Sequence, residues 1–547
     1  MNDKLITVFR ERLVSGLRRK SITTASKWAE AYRVMGMPLP GPWAFKRHPW
    51  LREMHDCEDD WVGQKAAQMG FTETCLNVTL FTIDVKAESI LYVLPASTPD
   101  ASEFSASRFD PALEMSDHLK NLFSKVKNIG HKRAGSANLY IRGSRSRSQM
   151  KSVPVSKIVF DELDEMVQKN VTLALERTSG QVSSQIIKIS TPTIGNFGIS
   201  SEYNNSTAEH YFFRCPNCGH MTELVFPDCL VMTSDVISDP KILESYIICK
   251  ECLGKLPHED KVTFLQDGEW VPSFENRMVR GFHVNQLYST TEAPSKIAIS
   301  YLRGLTNPED ETEFYNSKLG IPHEVEGARI TDGFLDQCVG EYISGPKKHG
   351  IVTMGIDVGK FLHYEIASWS LSESEKSNSL IDAVPQVIAA GKVENFEDLD
   401  AILKEYRVLF AVIDANPERR KALEFAQRFY GLVKLCFYGM GVSGKELHMH
   451  AEEDCTITVD RTSWMDAALS RFKNQLISLP KDISIEYRSH LKIPTRTYEK
   501  DKRGNPVGRF LTPANAADHF AHARTYSEIA LAIVVSQDVA KDINNVY

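Results

Sequence analysis

The sequence lacks any apolar run long enough to cross a lipid bilayer, which takes about 20 helical residues. Its first residues (MNDKLITVFRERLVSG) also lack the pattern of a secretory signal peptide. No internal repeat and no low-complexity block is visible in the 547 residues. We therefore expect a soluble intracellular protein rather than a membrane-spanning or fibrous one.

An excess of positive charge is also lacking. The chain carries 64 Lys and Arg residues against 71 Asp and Glu residues, a formal net charge of −7. That balance argues against a protein whose whole surface is positively charged for nucleic-acid binding. It permits a local basic groove, because the field at a site depends on how charges are distributed. With 42% hydrophobic and 25% charged residues the composition is globular. The length predicts two or three domains rather than one core.

Cysteine is scarce and unevenly placed. Of ten cysteines, four form two CxxC pairs, Cys215 with Cys218 (CPNC) and Cys249 with Cys252 (CKEC). Two such pairs supply the four thiolates of a tetrahedral Zn²⁺ site, and four protein ligands leave no open position for catalysis. Disulfides are disfavoured in a reducing cell, so free core thiols are the alternative. We expect a structural zinc ribbon, and reduced core residues at Cys57, Cys75, Cys229, Cys338, Cys436 and Cys455.

Short apolar runs alternate with helical patterns between about residues 60 and 200. Examples are 89–94 (SILYVL), 157–160 (KIVF) and 186–189 (IIKI). Buried strands between helices predict an α/β fold with a parallel, doubly wound sheet. A second strand-and-helix series begins at 351 (IVTMGIDVG). The expected organisation is a helical lead-in at 1–40 with a capped helix at 21–33, a first domain at 41–340 with a zinc-ribbon insertion at about 205–275, a linker at 341–350, and a second domain at 351–547.

A phosphate-binding loop is present only in degenerate form, at residues 63–74 (GQKAAQMGFTET). A P-loop places glycine where backbone N–H groups approach phosphate, lysine at the β- and γ-phosphates, and a hydroxyl at Mg²⁺. Gly70 and Thr72 hold the second-glycine and hydroxyl positions. Phe71 stands in the lysine position, and Lys65 stands where the first glycine would be. Alone, this pattern is more typical of an ordinary strand–helix turn.

The second half of an ATP site lies at residues 157–162 (KIVFDE), an apolar strand that ends in two carboxylates. In a Walker B strand the first acid, here Asp161, is delivered to Mg²⁺, and the second, here Glu162, polarises the attacking water. The alternative is a buried strand that leads into a solvated acidic helix cap. The two motifs together favour an ATPase site.

Three aspartates in the second half stand where strands end or a helix begins. Asp357 follows the predicted strand 352–356 (VTMGI), Asp414 follows 409–413 (LFAVI), and Asp518 opens the predicted helix 518–526 (DHFAHARTY). Gathered at one sheet edge, such carboxylates would bind two divalent ions that hydrolyse a phosphodiester. The alternative makes each aspartate a solvated strand end or helix cap, and Asp466 competes with Asp518. We expect packing or backbone contacts for His519 and His522.

Two basic clusters accompany these motifs. Residues 498–510 (YEKDKRGNPVGRF) predict a hairpin that turns at 504–505 and carries Lys500, Lys502, Arg503 and Arg509. These charges would follow a DNA backbone into the acidic site, or else belong to a merely solvated hairpin. The second cluster precedes the acidic strand, and one of its members would act on ATP in trans: Arg142, Arg145 or Arg147.

Taken in order, these motifs resemble the large terminase subunits of tailed phages, of the lambda-like type. The likeness covers nearly the whole chain, and in the first half it is carried by 40–57 (PGPWAFKRHPWLREMHDC), 65–72 (KAAQMGFT), 159–165 (VFDELDE), 190–193 (STPT), 268–271 (GEWV) and 280–289 (RGFHVNQLYS). In that family the Walker A lysine stands at the start of the loop, which accounts for Lys65. The coupling motif, which links hydrolysis to movement, corresponds to Ser190 and Thr191. Without the family, a strand-end turn before Pro192 is the alternative.

The resemblance implies a P-loop ATPase followed by an RNase H-like nuclease, with Asp357, Asp414 and Asp518 at the catalytic and metal-binding positions. Many relatives carry Glu at the middle position. It further implies ATP-driven translocation of viral double-stranded DNA into a procapsid and cutting of concatemeric DNA with Mg²⁺ or Mn²⁺, in the host cell cytoplasm. The implied partners are a small terminase subunit, the portal protein and further copies of the chain on the portal.

Two other function classes stay open at this stage. One is a helicase or remodelling ATPase whose C-terminal module binds nucleic acid without cleaving it. The other is a non-enzymatic zinc scaffold protein. DNA cleavage with a divalent ion separates the first from a terminase, and ATP turnover that depends on Glu162 eliminates the second.

Overall fold

The computed structural model describes residues 22–37, 39–123, 126–151, 153–181, 183–325, 327–347, 350–370, 383–439, 444–450, 455–500, 506–513 and 516–536. Within these residues, no helix is both long and apolar enough to span a membrane. The chain divides into two compact units, Met1–His323 and Glu324–Tyr547, which we term the N-terminal and C-terminal units. Most of the predicted lead-in lies outside the described residues. The linker at 341–350 stays a prediction.

The N-terminal unit alternates strands with helices. Its strands are β1 (Val34–Met35), β2 (Gly41–Pro42), β3 (Trp61–Lys65), β4 (Ile90–Leu94), β5 (Val126–Asn128), β6 (His131–Ala134), β7 (Ala137–Gly143), β8 (Lys157–Asp161), β9 (Gln185–Ser190), β10 (Glu209–Arg214), β11 (Met221–Thr222), β12 (Leu230–Val231), β13 (Tyr246–Ile248), β14 (Lys255–Leu256), β15 (Glu269–Pro272) and β16 (Arg280–Val284). Its α-helices are α1 (Ala25–Tyr32), α2 (Leu51–Asp56), α3 (Phe71–Phe81), α4 (Ser102–Phe104), α5 (Asp110–Glu114), α6 (Asp117–Leu122), α7 (Gln168–Leu175), α8 (Gly198–Asn204), α9 (Lys261–Phe264), α10 (Pro294–Gly304) and α11 (Pro308–Glu313). Shorter turns of 3₁₀ or π-helix lie at Phe45–Arg47, Thr82–Lys86, Ser97–Ala101, Ser105–Phe109, Leu163–Glu165, Pro240–Glu244, His258–Asp260, Gln286–Tyr288 and Phe314–Leu319.

One large sheet organises this unit, in the order β11–β10–β16–β3–β9–β8–β4–β7–β6–β5, with β15 also paired to β10. From β10 to β7 the neighbouring strands run parallel, and the pairs at both edges run antiparallel. Every residue of β3, β4 and β8 is buried, as expected of parallel strands covered on both faces. The predicted parallel α/β sheet is confirmed. Its strands β3, β8 and β9 lie side by side and end near one another.

A small separate sheet lies within the cysteine-rich segment. β12, β13 and β14 form three antiparallel strands in that order. The first cysteine pair follows β10 directly, and the second follows β13. This arrangement is compatible with the predicted zinc ribbon inserted into the ATPase fold.

The C-terminal unit has its own sheet and helices. Its strands are β17 (Ile351–Val358), β18 (Leu362–Ser370), β19 (Val384–Val393), β20 (Phe410–Asp414), β21 (Val433–Tyr438), β22 (His448–Met449), β23 (Thr456–Val459), β24 (Thr495–Lys500) and β25 (Pro506–Leu511). Its helices are α12 (Asp332–Gln337), α13 (Phe396–Glu405), α14 (Arg419–Arg428), α15 (Arg461–Lys473), α16 (Ile485–Leu491) and α17 (His519–Ser536).

The sheet of the C-terminal unit has the order β19–β18–β17–β20–β21–β23–β22. β17, β20, β21 and β23 run parallel, whereas β18, β19 and β22 pair antiparallel. Gly355 lets α17 lie directly on the central strand β17, since a Cβ atom there would lie 1.9 Å from the carbonyl oxygen of Ala523. This close approach positions the first turn of α17 beside the end of β17.

Buried charge holds α17 in place. Arg524 is fully buried and its Nη1 lies 2.7 Å from Oε1 of Glu365 on β18, which is also fully buried. Arg524 also pairs with Glu528, which in turn lies 2.6 Å from Arg471 of α15. The Tyr487 hydroxyl donates to Glu365 at 2.6 Å. Loss of one member would leave a charge buried without its partner.

We predict that Arg524→Met destabilises the C-terminal unit by about 3–5 kcal/mol, because Glu365 and Glu528 would keep buried negative charge. Urea unfolding of the full chain, followed by hydrogen exchange of the α17 amides, measures the loss. Arg420→Ala is the control, because its ion pair with Glu424 is exposed and should change stability by less than about 0.5 kcal/mol. A loss under about 1 kcal/mol for Arg524→Met would contradict this role of the buried charges.

Candidate functional site

The phosphate-loop candidate connects β3 to α3 through residues 66–70. Gly70 precedes α3 with φ 87°, and a Cβ atom there would lie 2.5 Å from Leu51 Cδ1. Gln68 is exposed and also has a positive φ of 63°. Both positions therefore hold a left-handed backbone in a tight turn. The turn ends at the first free N–H groups of an eleven-residue helix, a suitable place for phosphate.

Lys65, the last residue of β3, reaches the acidic strand. Its Nζ lies 2.7 Å from Oε1 of Glu162, and the lysine itself is buried. Burial alone would lower the pKa of this amine. The negative charges of Glu162 and Asp161 outweigh that effect and raise the pKa instead. Lys65 is therefore a buried cation that faces both predicted acids.

Asp161 ends β8 and contacts two hydroxyl groups. Thr72 Oγ1 donates to Oδ1 at 3.4 Å, and Tyr92 OH donates to Oδ2 at 2.8 Å. Burial raises the pKa of Asp161 to about 6, and the charge of Glu162 adds to the shift, whereas Lys65 opposes it. The structure thus brings the predicted hydroxyl, acid pair and lysine together at one sheet edge. Tyr92 was not foreseen.

Glu162 differs from its neighbour in exposure and backbone. Its side chain is 40% exposed, and its backbone is left-handed, with φ 64° and ψ 55°. A non-glycine residue in this region carries a strain of about 1–3 kcal/mol that the surrounding fold must hold. The strained turn directs Glu162 toward Lys65 and leaves its carboxylate accessible to water.

Asp164, which sequence reasoning missed, links the acidic strand to the predicted coupling motif. Its Oδ2 accepts from Thr193 N and Thr193 Oγ1, each at 2.8 Å, and its Oδ1 accepts from Ile199 N at 2.7 Å. Its own N–H donates to Ser190 Oγ at 3.2 Å. Burial raises the pKa of Asp164 to about 7. The alternation of acids in DELDE was the available signal.

The coupling-motif candidates lie at the end of β9, adjacent to β8. Ser190 is buried and its hydroxyl donates to the carbonyl oxygen of Thr191 at 2.9 Å. Gly198 has φ 49°, and a Cβ atom there would lie 2.1 Å from Asp164 Oδ1. This glycine therefore lets α8 approach the carboxylate, and the turn at 190–193 is tied both to Asp164 and to its own backbone.

The arginine cluster lies on and after β7. Arg142 is half-buried and its guanidinium carbon lies 5.8 Å from the centre of the Tyr140 ring. Arg145 and Arg147 are exposed. An action of any of them on ATP in trans stays a prediction.

The three predicted nuclease aspartates stand at the expected strand and helix ends. Asp357 is the penultimate residue of β17, and Asp414 ends the adjacent parallel strand β20, one position beyond the pair Ile356–Ile413. Burial raises the pKa of Asp414 to about 6, and the charge of Asp357 adds to the shift. Asp414 Oδ1 accepts from Asn416 N at 3.1 Å. Asp357 and Asp414 therefore repel each other across the strand ends.

Asp518 immediately precedes α17. Thr512 Oγ1 donates to its Oδ2 at 2.6 Å, and His522 Nε2 lies 3.4 Å from the same oxygen. Burial would raise the pKa of Asp518, but the hydrogen bond and charge of His522 outweigh burial and lower it. The competing candidate Asp466 is instead paired with Arg496, at 2.8 Å.

His519 and His522 pack against aromatic rings, as expected, and they also contact carboxylates. His519 Nδ1 lies 2.8 Å from Asp357 Oδ2, and His522 contacts both Asp518 and the Tyr438 hydroxyl, the latter at 3.1 Å. Both rings belong to the first turn of α17, which the close contact at Gly355 carries to the strand ends. Their polar contacts are therefore with carboxylates and a hydroxyl rather than with the backbone.

The four paired cysteines converge. Their sulfur atoms lie within 4.8 Å of one another, and the Sγ atoms of Cys215 and Cys252 are 3.9 Å apart. Each pair closes a similar turn, in which the N–H of Gly219 or Leu253 donates to the carbonyl oxygen of the first cysteine at 2.9 Å. Burial opposes ionisation of Cys249, yet backbone N–H groups outweigh it and lower its pKa to about 7. This donor set fits a tetrahedral Zn²⁺ ion.

The predicted basic hairpin is formed by β24 and β25, which pair antiparallel. Arg509 lies opposite Thr497 in this pair. Lys502, Arg503, the turn at 504–505 and the side chain of Lys500 lie outside the described residues. DNA contact by this hairpin stays a prediction.

Two sequence profiles, one of an ATPase domain and one of an endonuclease domain, match the chain in succession. The sequence profile of the phage terminase large subunit gpA ATPase domain matches residues 38–270, and that of the gpA endonuclease domain matches residues 279–406. The chain belongs to the family of gpA-type phage terminase large subunits. Asp357 lies within the matched endonuclease range, and Asp414 and Asp518 lie beyond it. No curated protein sequence matched the chain.

Comparison with solved structures supports the fold through one match, and two further matches have lower scores. The large terminase of bacteriophage HK97 is 10% identical, with 93% of this chain and 99% of that chain covered and a TM-score of 0.50. The large terminase of a thermophilic bacteriophage is 10% identical, with 90% and 100% covered and a TM-score of 0.29. The nuclease of thermophilic phage G20c with bound magnesium is 12% identical, with 36% and 94% covered and a TM-score of 0.23.

Family membership gives the activity. The protein is an ATPase and a metal-dependent DNA endonuclease that packages viral DNA and cuts it. The helicase alternative, with a C-terminal module that does not cleave, is not supported, because the second matched profile is an endonuclease domain. The non-enzymatic scaffold is excluded by the same two profiles.

We predict that Asp164→Asn lowers the stability of the N-terminal unit by about 1–3 kcal/mol, because an amide cannot accept from all three donors of Thr193 and Ile199. The variant should also remove a pH dependence. A carboxyl whose pKa is raised to about 7 on folding stabilises most below its unfolded pKa, and the contribution is lost as the pH rises through about 7.

Unfolding of the full chain in urea at several pH values between 4 and 8 measures both effects. Asp267→Asn, at an exposed position of the same unit, is the matched control and should change neither. An Asp164→Asn protein with wild-type stability and an unchanged pH profile would show that Asp164 does not hold this turn.

Proposed function

We propose that the ATPase site uses Lys65, Gly70, Thr72 and Asp161 to bind Mg²⁺–ATP, with Glu162 as the residue that polarises the attacking water. The contact that carries this proposal is the 2.7 Å pair between Lys65 Nζ and Glu162 Oε1. Lys65 would have to exchange this carboxylate for phosphate oxygens before Glu162 is free to accept a proton. Thr72 and Asp161, already in contact, supply the hydroxyl and carboxylate oxygens that Mg²⁺ prefers.

Hydrolysis would be linked to DNA movement through Ser190 and Thr191. Asp164 supports this role, because it bonds to Ser190 and Thr193 and follows Glu162 by two residues. A small change in the strained backbone at Glu162 would shift Asp164, and Asp164 would shift the turn after β9 to which it is hydrogen-bonded. Asp164 acts in this proposal as a positioning residue.

In the nuclease, Asp357, Asp414 and Asp518 would hold the divalent ions. Bound Mg²⁺ or Mn²⁺ supplies an activated water and neutralises the leaving oxygen. The raised pKa of Asp414 supports this role, because a carboxylate beside another negative charge gains most from a nearby cation. The hairpin residues Lys500, Lys502, Arg503 and Arg509 would guide the DNA backbone.

The four cysteines would hold one structural Zn²⁺ ion that ties β10 to the small sheet. For assembly, we propose that the chain acts as a homo-oligomer on the portal protein of the procapsid. It would receive DNA with a small terminase subunit, in the host cell cytoplasm. Membership of the terminase family supports these partners.

We predict that the two activities can be lost separately. Lys65→Ala should abolish ATP turnover, because the phosphates lose their buried cation, and should leave DNA cleavage intact. Glu162→Ala should do the same. Asp357→Ala should stop cleavage while ATP hydrolysis persists. Steady-state ATPase assays and plasmid cleavage with Mg²⁺ or Mn²⁺, each with and without DNA, measure the two activities.

Each variant is the control for the other site in this experiment, and circular dichroism establishes that each is folded. Full ATPase activity in Lys65→Ala would mean that the phosphate loop is elsewhere. Wild-type cleavage by Asp357→Ala would refute the nuclease site. Asp466→Ala should retain cleavage, because that residue is paired with Arg496.

We also predict one zinc ion per chain, with Zn–S distances of about 2.3 Å in X-ray absorption spectra. Cys252→Ser should lower the zinc content and destabilise the ribbon, since Cys252 is one of the four converging thiols. Cys57→Ser is the control and should keep the metal. Protein purified without chelator that contains no zinc would contradict the proposal.

A further inference from the structure

A second group of possible metal ligands lies in the C-terminal unit. One ligand atom each from Asp357, His363 and His519 lies within 4.8 Å of the others. Asp414 and Asp518 are not part of this group. Asp357 is thus shared between the predicted carboxylate site and a cluster that contains two imidazoles.

The fold brings these three residues together from separate segments. Asp357 on β17 and His363 on β18 are direct partners in the antiparallel register. His519 opens α17, and its Nδ1 lies 2.8 Å from Asp357 Oδ2. The rings of His363 and His519 stack with centroids 4.4 Å apart and an angle of 13°. A Cβ atom at Gly359 would lie 3.3 Å from His519 Cε1, so glycine keeps this space open.

His363 has an unused ligand atom. The residue is 3% exposed, and its Nδ1 is buried with no hydrogen-bond partner among the described residues. An unpaired buried nitrogen is costly, so such groups usually have a partner. A cation bound at this nitrogen would remove the cost, because the unprotonated nitrogen has a lone pair to offer.

We propose that Asp357, His363 and His519 bind a divalent first-row transition-metal ion in preference to Mg²⁺. Two imidazoles and one carboxylate with open positions form a donor set that such ions accept, whereas Mg²⁺ favours oxygen ligands. Asp414 and Asp518 are left as ligands for the second ion that two-metal phosphodiester hydrolysis requires. This inference rests on the proposed nuclease site and adds His363 and His519 to its metal ligands.

Mn²⁺ is the probe, because electron spin-echo modulation detects an imidazole nitrogen bound directly to the ion. The full chain, without nucleotide, is titrated with Mn²⁺, and Mg²⁺ is then added as competitor. We expect ¹⁴N modulation in the wild type and Mn²⁺ affinity at least about tenfold above that for Mg²⁺. His519→Ala should weaken Mn²⁺ binding about 10- to 100-fold, with a smaller effect on Mg²⁺.

His448→Ala is the matched control, because His448 is an exposed residue of β22 in the same unit, and it should bind Mn²⁺ like the wild type. His363→Gln tests the buried ligand and should reduce the ¹⁴N modulation. Circular dichroism identifies folded variants, and the half-exposed His519 tests the idea independently if the buried variant fails to fold.

Absence of ¹⁴N modulation in the wild type, or equal Mn²⁺ affinity in His519→Ala and the wild type, would overturn this inference. Plasmid cleavage by the same wild-type protein distinguishes failure of the histidine ligands from failure of the nuclease site. Cleavage without imidazole ligation leaves the nuclease proposal standing and refutes the histidine ligands. Absence of cleavage with both Mg²⁺ and Mn²⁺ refutes the proposed nuclease site itself, whichever ligands bind Mn²⁺.

Discussion

In each unit, a parallel strand ends in an aspartate, Asp161 in one and the half-buried Asp414 in the other, and the proposed chemistry depends on how these negative charges are stabilised. Burial raises the pKa of Asp161 and of Asp414 to about 6 in both cases, and in both a second carboxylate nearby adds to the shift. The N-terminal unit supplies a buried cation, Lys65, to offset this repulsion. Among the described residues at the C-terminal strand ends, the imidazoles of His519 and His522 lie beside the carboxylates instead of a lysine.

The neighbouring strands β8 and β9 bring the acids of the proposed ATP site close to the proposed coupling turn in the N-terminal unit. Asp161 and Glu162 face the phosphate loop, and Asp164 faces the turn after β9. The left-handed backbone at Glu162 turns the chain, so that residues before and after it face different parts of the site. Because Asp164 lies only three positions after Asp161, the proposed coupling would need no further residues between the ATP site and the turn after β9.

The strand ends could be predicted from the sequence, because an apolar run followed by Asp is a local pattern that β8, β17 and β20 share. The α/β class followed from the same alternation. Partners from distant segments could not be predicted in this way. His519 meets Asp357 across 162 residues, and Tyr92 meets Asp161 across 69. Such contacts depend on sheet order and on how closely α17 approaches Gly355, which no local pattern encodes.

The position of Lys65 in the proposed phosphate loop has a packing reason. Phe71 opens α3 and is 1% exposed, and a Cβ atom at Gly63 on β3 would lie 2.6 Å from its ring. A lysine at 71 in this orientation would bury its charge against an apolar strand, at a large cost in desolvation. At 65 the lysine is just as buried, but its amine ends beside Glu162. The proposed phosphate-binding lysine is therefore at the end of β3 that faces Glu162, and the aromatic ring at position 71 packs α3 against the sheet.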